Sequence, residues 1–342
     1  MGYNTFVSII TPTFNRAKEI DLLIKSISKQ TVSNNLFELI ISDDGSTDAT
    51  KNIVEKWQRE SDFQIRYISQ KNEGPGLARN RGLAKSIGEL ILFIDSDCEA
   101  HPDWIGTILN YYEKHGFDAF GGPDGSKSDF TPLQKAIDYS MTSFLTTGGI
   151  RGHSEKMISK FYPRTHNMGI TRQIYENIGG FGELRHGQDI EYSHRIMQSG
   201  AKVIFLREAL VYHRRRSTIR QFSKQTFNWG VARINLGKID LKMLEPVHFL
   251  PTLGCTLALI ILLIFLENGF SILSIISFFL LPLLIISSFG TFKNNDIRVF
   301  PYLMVVIPIQ LIAYGLGFFR AFIRRFIFHE SEITGFTKRY YK

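Results

Sequence analysis

From residue 6 onward, short apolar runs alternate with stretches whose apolar positions recur at helical spacing. Phe6-Val7-Ser8-Ile9-Ile10 reads as a strand, and residues 17–30 then put Ile20, Leu23, Ile24 and Ile27 on one helical face. The same alternation gives a strand at 37–42, a helix at 48–60 with Ile53, Val54 and Trp57 inward, and a strand at 64–69. A helix at 76–87 and a strand at 89–95 complete it. This pattern predicts an α/β fold with a parallel, doubly wound sheet. In such sheets ligands bind outside the carboxyl ends of the strands. Polar clusters fall at those ends: Thr11-Pro12-Thr13-Phe14-Asn15, Asp43-Asp44-Gly45-Ser46-Thr47-Asp48 and Asp95-Ser96-Asp97.

The back third follows a different pattern. Residues 249–266, 270–289 and 299–319 are three uncharged apolar runs, each near the length of about 20 residues that a membrane-spanning helix needs. Glu267-Asn268-Gly269 reads as a tight hairpin between the first two. Residues 217–248 carry Phe222, Phe227, Trp229 and Val231 among basic residues, the pattern of an amphipathic helix at a membrane interface. The expected organisation is therefore a catalytic domain at 1–216, a juxtamembrane segment at 217–248, two to three transmembrane helices within 249–323, and a basic tail at 324–342. Three spans would carry the tail away from the cytosol, against the positive-inside rule, so either one run does not cross or the rule fails here.

Charge sharpens this division. Residues 217–342 hold 13 Lys and Arg against 6 Asp and Glu, whereas residues 1–216 hold 27 against 26. The basic excess thus accompanies the apolar runs, which points to anionic membrane lipids as the partner and not to nucleic acid. Only two cysteines occur, Cys98 and Cys255, neither placed for a disulfide, which fits a reducing compartment. The first residues lack the charged start and apolar core of a signal peptide, so the front domain is expected on the cytosolic face of a cell membrane.

Candidate chemistry starts at Asp95-Ser96-Asp97. Two carboxylates at the tip of a buried strand need neutralising, and a divalent metal carrying a phosphorylated ligand does this. Asp44 is placed to accept from a uracil N–H or a ribose hydroxyl, with Thr13 in the same crevice; the competing reading of residues 43–48 is a turn and helix cap made by Ser46 or Thr47.

In order and spacing these motifs resemble the family 2 glycosyltransferases. The resemblance rests on Val7 to Asn15, Asp43 to Asp48, Gly76-Leu77-Ala78-Arg79-Asn80-Arg81-Gly82 and Asp95-Ser96-Asp97. Phe120-Gly121-Gly122-Pro123 and Gly179-Gly180-Phe181 narrow it to the membrane-attached, ExoA-like transferases of exopolysaccharide assembly. The acidic motif of those proteins is degenerate, whereas this chain keeps both aspartates. The resemblance implies a GT-A fold, the Rossmann-like fold of nucleotide-diphospho-sugar transferases, followed by C-terminal transmembrane helices. It also implies Mn²⁺ or Mg²⁺ held by Asp97 with help from Asp95, and a nucleotide-sugar donor contacted by Pro12, Thr13, Asp44, Arg79 and Asp95. Arg79 has a solvated helix face as its alternative.

Gly187-Gln188-Asp189 resembles the family's Gly-Glu-Asp motif with Gln188 in place of Glu, which puts Asp189 in the position of the general base; a helix cap is the alternative. In relatives a histidine at the position of His213 approaches the metal, although a lone histidine is often structural. Arg214-Arg215-Arg216 reads either as a diphosphate clamp or as a basic surface patch. Processive synthases of the family carry Gln-x-x-Arg-Trp; here Gln225-Thr226-Phe227-Asn228-Trp229 lacks the arginine, which favours one sugar per acceptor. Specificity is expected within 120–164, where periodicity is poor.

The expected activity is inverting, metal-dependent transfer of a sugar, most simply from a UDP-sugar, to a lipid-linked saccharide acceptor in surface polysaccharide synthesis. Rival readings are a polyprenyl-phosphate sugar synthase, a nucleotidyltransferase, and a non-catalytic membrane scaffold. No glycine-rich, lysine-containing activation loop near the N-terminus supports the nucleotidyltransferase.

Overall fold

The computed structural model describes residues 3–127, 129–147 and 160–332. Parts of the expected specificity segment and of the basic tail lie outside these residues. In chain order the elements are β1 (Val7–Thr13), α1 (Ala17–Ile27), β2 (Phe37–Asp43), α2 (Thr50–Glu60), β3 (Gln64–Ser69), α3 (Pro75–Lys85), β4 (Leu90–Phe93), β5 (Cys98–Ala100), α4 (Trp104–His115), β6 (Ala119–Gly121) and β7 (Asp124–Gly125). There follow α5 (Pro132–Thr142), α6 (Phe144–Thr147), β8 (Met168–Thr171), α7 (Arg172–Ile178), α8 (Gln188–Gln198), β9 (Val203–Phe205), β10 (Val211–His213), α9 (Ile219–Ile239), α10 (Leu250–Glu267), α11 (Ile272–Asn294) and α12 (Phe300–Phe322).

Among the described residues two units emerge, the first from 3–127 together with 161–214, the second from 129–147 and 160 together with 215–332. The first is a seven-stranded sheet in the order β3-β2-β1-β4-β8-β6-β9. Strands β1 to β4 are parallel, as the alternation predicts. The sheet as a whole is mixed, because β8 runs antiparallel to both β4 and β6. After β4 the chain makes no single crossover; it traverses β5 to β7 first and enters β8 from the other end. All seven residues of both β1 and β2 are buried. Val7 and Ile9 pack with α1 and α4 on one face, and Ile10 packs with Leu83, Tyr192 and Ile196 of α3 and α8 on the other. Burial on both faces explains why these strands read as continuous apolar runs. Strand order reverses between β1 and β4, so their carboxyl ends flank the switch point where such sheets bind ligands.

A second, three-stranded sheet in the first unit, β5-β10-β7, pairs His213 with Cys98 and Val211 with both Ala100 and Asp124. Periodicity does not reveal it, since each strand has only two or three residues.

The second unit is helical. Helix α5 sets Ala136, Ile137, Tyr139 and Met141 against Phe222 of α9 and Val299, Leu303 and Val306 at the start of α12. Polar ties join the same elements: Lys135 to Asp296 at 2.9 Å and Arg215 to Asp138 at 2.7 Å. Phe222, Phe227 and Val231 of α9 face inward, but every residue from Gly230 to Gly237 is buried too. This helix is therefore a core element of the unit over its second half, and the one-sided apolar pattern expected of an interfacial helix is confined to its first half. Its partner is α12, and the two backbones meet through glycine. A Cβ on Gly230 would fall 2.3 Å from the Tyr314 carbonyl oxygen, and one on Gly317 would fall 2.1 Å from that of Phe227. Three helices, Pro246–Glu267, Ile272–Asn294 and Ile297–Ile327, are long and apolar enough to cross a membrane. They differ in burial: α10 buries no residue, α11 only Ser287 and Gly290, while α12 buries seven.

Gly317→Val should push α9 and α12 apart, because the obstructing atom is backbone and has little room to yield. A cost of about 1–3 kcal/mol is expected for such overpacking. Thermal unfolding of the detergent-solubilised protein should show the midpoint falling by several degrees; an unchanged midpoint would refute the tight crossing.

Candidate active site

The first strand tip is tied to the second. Asp44 N–H donates to the Thr13 carbonyl at 2.8 Å, and the Asn15 side-chain oxygen accepts from Thr47 N–H at 2.8 Å. Asn15 adopts a left-handed φ of 51° to do so. Asp43 and Asp44 then diverge in role. Asp43 closes its own turn by accepting from Ser46 N–H at 2.9 Å and takes a short hydrogen bond from the Tyr67 hydroxyl. Asp44, fully buried, accepts from the Gln70 amide at 2.5 Å and from the N–H groups of Glu73 and Gly74 at 2.9 and 2.8 Å. It thereby fixes the loop that leads into α3. The turn-and-cap reading needs amending: Asp48, not Ser46 or Thr47, accepts from the Thr50 N–H at the start of α2. The Thr13 side chain is buried at the strand end, its hydroxyl making no hydrogen bond among the described residues.

Helix α3 carries Arg79 to the acidic motif. Its side chain is 8% exposed and its guanidinium holds Asp95 at 2.7 Å, with its charge 5.5 Å from the Phe181 ring. The solvated-face reading of Arg79 is thus not the arrangement seen. Asp97, two residues on, faces His213: Oδ1 lies 3.3 Å from Nε2, and Arg16 stands 3.8 Å from the other carboxylate oxygen. The β5–β10 ladder causes this, since it pairs Cys98 with His213, and Arg214 N–H donates to the Asp97 carbonyl at 3.0 Å. Asp97, Cys98 and His213 offer ligand atoms within 4.8 Å of one another. A carboxylate and an imidazole suit Mn²⁺, and Mg²⁺ through the carboxylate; a buried thiol suits neither, so Asp97 and His213 are the fitting pair.

Asp189 lies in the first turn of α8, whose cap position is filled by Gly187 at φ 86°. The side chain accepts from Ile190 N–H at 3.0 Å and from the Arg164 guanidinium at 3.5 Å, while the N-cap position itself belongs to Gly187. Burial pushes the Asp189 carboxyl upward, but the positive charges of Arg164, Arg79 and His166 outweigh it and hold the group below its ordinary value. Glu191 is committed to Arg195 at 2.6 Å. Gln188 is buried, its amide against Gly76, where a Cβ would fall 2.4 Å from Nε2.

Arg214 and Arg215 turn to carboxylates of the protein itself, Glu99 at 3.3 Å and Asp138 at 2.7 Å, which disfavours a three-arginine diphosphate clamp. Trp229 packs against the second unit's core.

Four residues at the site escaped sequence reasoning: Arg16, Asp124, Arg164 and His166. Asp124 follows Phe120-Gly121-Gly122-Pro123, and a carboxylate after such a strand-ending turn was the available signal. Arg164 and His166 lie where no periodicity marks the chain, and no local signal singles them out.

A model of glycosyl transferase family 2 matches residues 8–179, half of the chain. The glycosyltransferase AglE of Haloferax volcanii is 27% identical over 247 residues, covering 72% of this chain and 78% of that protein. A GalNAc(5)-diNAcBac-PP-undecaprenol β-1,3-glucosyltransferase of Campylobacter jejuni is 37% identical over 105 residues, 30% of this chain and 33% of that one. Among solved structures, the mannosyltransferase PcManGT of Pyrobaculum calidifontis, in complex with GDP-Man and Mn²⁺, superposes with a TM-score of 0.67. That likeness covers 93% of this chain and 88% of the other at 16% identity, and it establishes the GT-A fold. The family match takes in the strand tips with Asp44, Arg79, Asp95 and Asp97, and the chain accordingly belongs to glycosyl transferase family 2 and is a glycosyltransferase.

Proposed function

We propose that the chain transfers a single sugar, with inversion, from a nucleotide-diphosphate donor to a lipid-linked saccharide in surface glycan assembly, in the manner of the ExoA-like transferases. The observation that carries this is the Asp97–His213 pair, 3.3 Å apart at the carboxyl ends of the sheet beside Arg79 and Asp95. Asp97 and His213 would hold a divalent cation, Mn²⁺ or Mg²⁺. When bound, such an ion acts as a Lewis acid that neutralises a departing nucleotide diphosphate. PcManGT was solved with GDP-Man and Mn²⁺, which supports both donor class and metal. We take the donor to be a UDP-sugar, with Pro12, Thr13, Asp44 and Asp95 lining the nucleotide site.

Asp189 is assigned the acceptor's proton. It is ionised at neutral pH, and the cations that keep it so also weaken it as a base. Proton transfer therefore accompanies attack on the anomeric carbon and does not precede it. Attack from the face opposite the leaving diphosphate inverts the configuration. The acceptor is read from the three apolar helices and from the Campylobacter relative, whose name gives an undecaprenol-linked substrate. The same helices favour a membrane location with the first unit on the cytosolic face.

A panel of UDP- and GDP-sugars with undecaprenol-linked acceptors, assayed with and without Mn²⁺, tests the proposal. Asp97→Ala should abolish transfer. Asp189→Asn should lower kcat by about 10²–10⁴-fold with donor KM little changed. A nearly silent Asp189→Asn would instead indicate a polyprenyl-phosphate acceptor, which needs no base. Wild-type transfer indifferent to metal would refute the metal assignment.

The depressed pKa of Asp189 sets a pH signature. The active form is the carboxylate, so activity should persist as pH falls and fail only below the range of an ordinary aspartate. Arg164→Gln removes one of the depressing charges, and the acidic limb of the kcat/KM profile should then move toward neutral pH. A limb that stays in place would show that Asp189 does not govern it.

A further inference from the structure

His213 is held from both sides. Its Nδ1 lies 3.2 Å from Asp124 Oδ2 while its Nε2 faces Asp97. The other oxygen of Asp124 stands 3.9 Å from His166 Nε2, and the two imidazoles stack at 5.2 Å between centroids with planes 24° apart. Asp124 is 7% exposed and comes from the shortest strand of the small sheet, in register with Val211. Its placement is over-determined. Asn167, fully buried, donates through its amide to the carbonyls of Pro123 at 2.8 Å and Ala209 at 2.6 Å, and accepts from Trp104 Nε1 at 3.0 Å. One amide thus fixes the segments that carry Asp124, His166 and His213.

We infer that Asp124 is a positioning residue for His213 as a metal ligand. A carboxylate only accepts, so Asp124 favours the proton on Nδ1; with a cation seated at Asp97, the Nε2 lone pair would then be the one free to ligate it. Imidazole ligands are oriented in this way by an acceptor on the second nitrogen, which also raises the basicity of the first. His166 lies alongside the ring, 5.2 Å away between centroids and inclined by 24°, where it restricts reorientation of His213. The three residues form a unit in which Asp124 sets the tautomer, His166 sets the plane, and His213 presents one nitrogen.

This inference rests on the metal-dependent reading above, and the test separates the two. Mn²⁺ is titrated into the purified full chain in detergent with UDP or GDP present, and free Mn²⁺ is followed by electron paramagnetic resonance. Asp124→Ala should weaken Mn²⁺ binding by about 10–100-fold, and His213→Ala by a similar factor. The double variant should bind no more weakly than His213→Ala alone, because Asp124 acts only through the imidazole. Asp124→Asn keeps an acceptor oxygen and should recover part of the loss. Additive losses in the double variant, or wild-type affinity in Asp124→Ala, would overturn the positioning role while leaving the metal site standing. A wild-type chain that binds no Mn²⁺ with either nucleotide would remove both.

Discussion

Carboxylates gathered at the end of a buried sheet repel one another, and the side chains around the candidate site are arranged so as to relieve that repulsion. Asp95, Asp97, Asp124 and Asp189 belong to one network because the same basic side chains serve more than one of them. Arg79 holds Asp95 at 2.7 Å and extends its field to Asp189. His213 lies between Asp97 and Asp124, and the charge of His166 reaches Asp189. An acid in such a place takes up a proton or finds a cationic or hydrogen-bond-donating partner. Here the partners come from α3, β10 and the segment before β8, which fixes the mutual placement of those elements. Fixed charges of this kind are also what a phosphate-leaving reaction needs, since they cost no rearrangement when charge develops.

The sequence disclosed the half of this arrangement that obeys a period. Strands β1 to β4 and helices α1 to α3 follow from alternation, and with them the placement of Asp44, Arg79, Asp95 and Asp97 at the carboxyl ends. Beyond β4 the order of events in the chain departs from the order in space. Strand β8 reverses direction, and β5, β7 and β10 are too short to register as periodic, although they carry or adjoin Asp97, Asp124 and His213. Arg79 was ambiguous for a local reason: only the tertiary fold shows that its helix face is turned to Asp95 and away from water. Asp44 shows the opposite limit, since its three hydrogen bonds to residues 70–74 come from a loop that has no signature of its own.

The second unit shows how composition can mislead about burial. Helix α9 carries enough charge to read as a surface element, yet it is enclosed where Gly230 and Gly317 let two backbones meet. Small residues at such crossings are the usual means of close association between helices. Helices α10 and α11, by contrast, leave nearly all their apolar side chains outward, which water does not favour and lipid does. The three apolar runs are alike in sequence but unlike in surroundings, and of the three α12 buries the most residues against other helices of its unit.

The Asn167 amide has a consequence for how the protein comes into being. Its partners are Trp104, Pro123 and Ala209, so a single side chain closes loops that together span about a hundred residues. These contacts join segments 63, 44 and 42 residues apart, and the last of them cannot form until Ala209 has been made. A nascent chain emerging in order would hold its sheet and its acidic motif well before it held His213 in place. The site is thus completed only once the chain has been made through His213, before any of the three apolar helices has been synthesised.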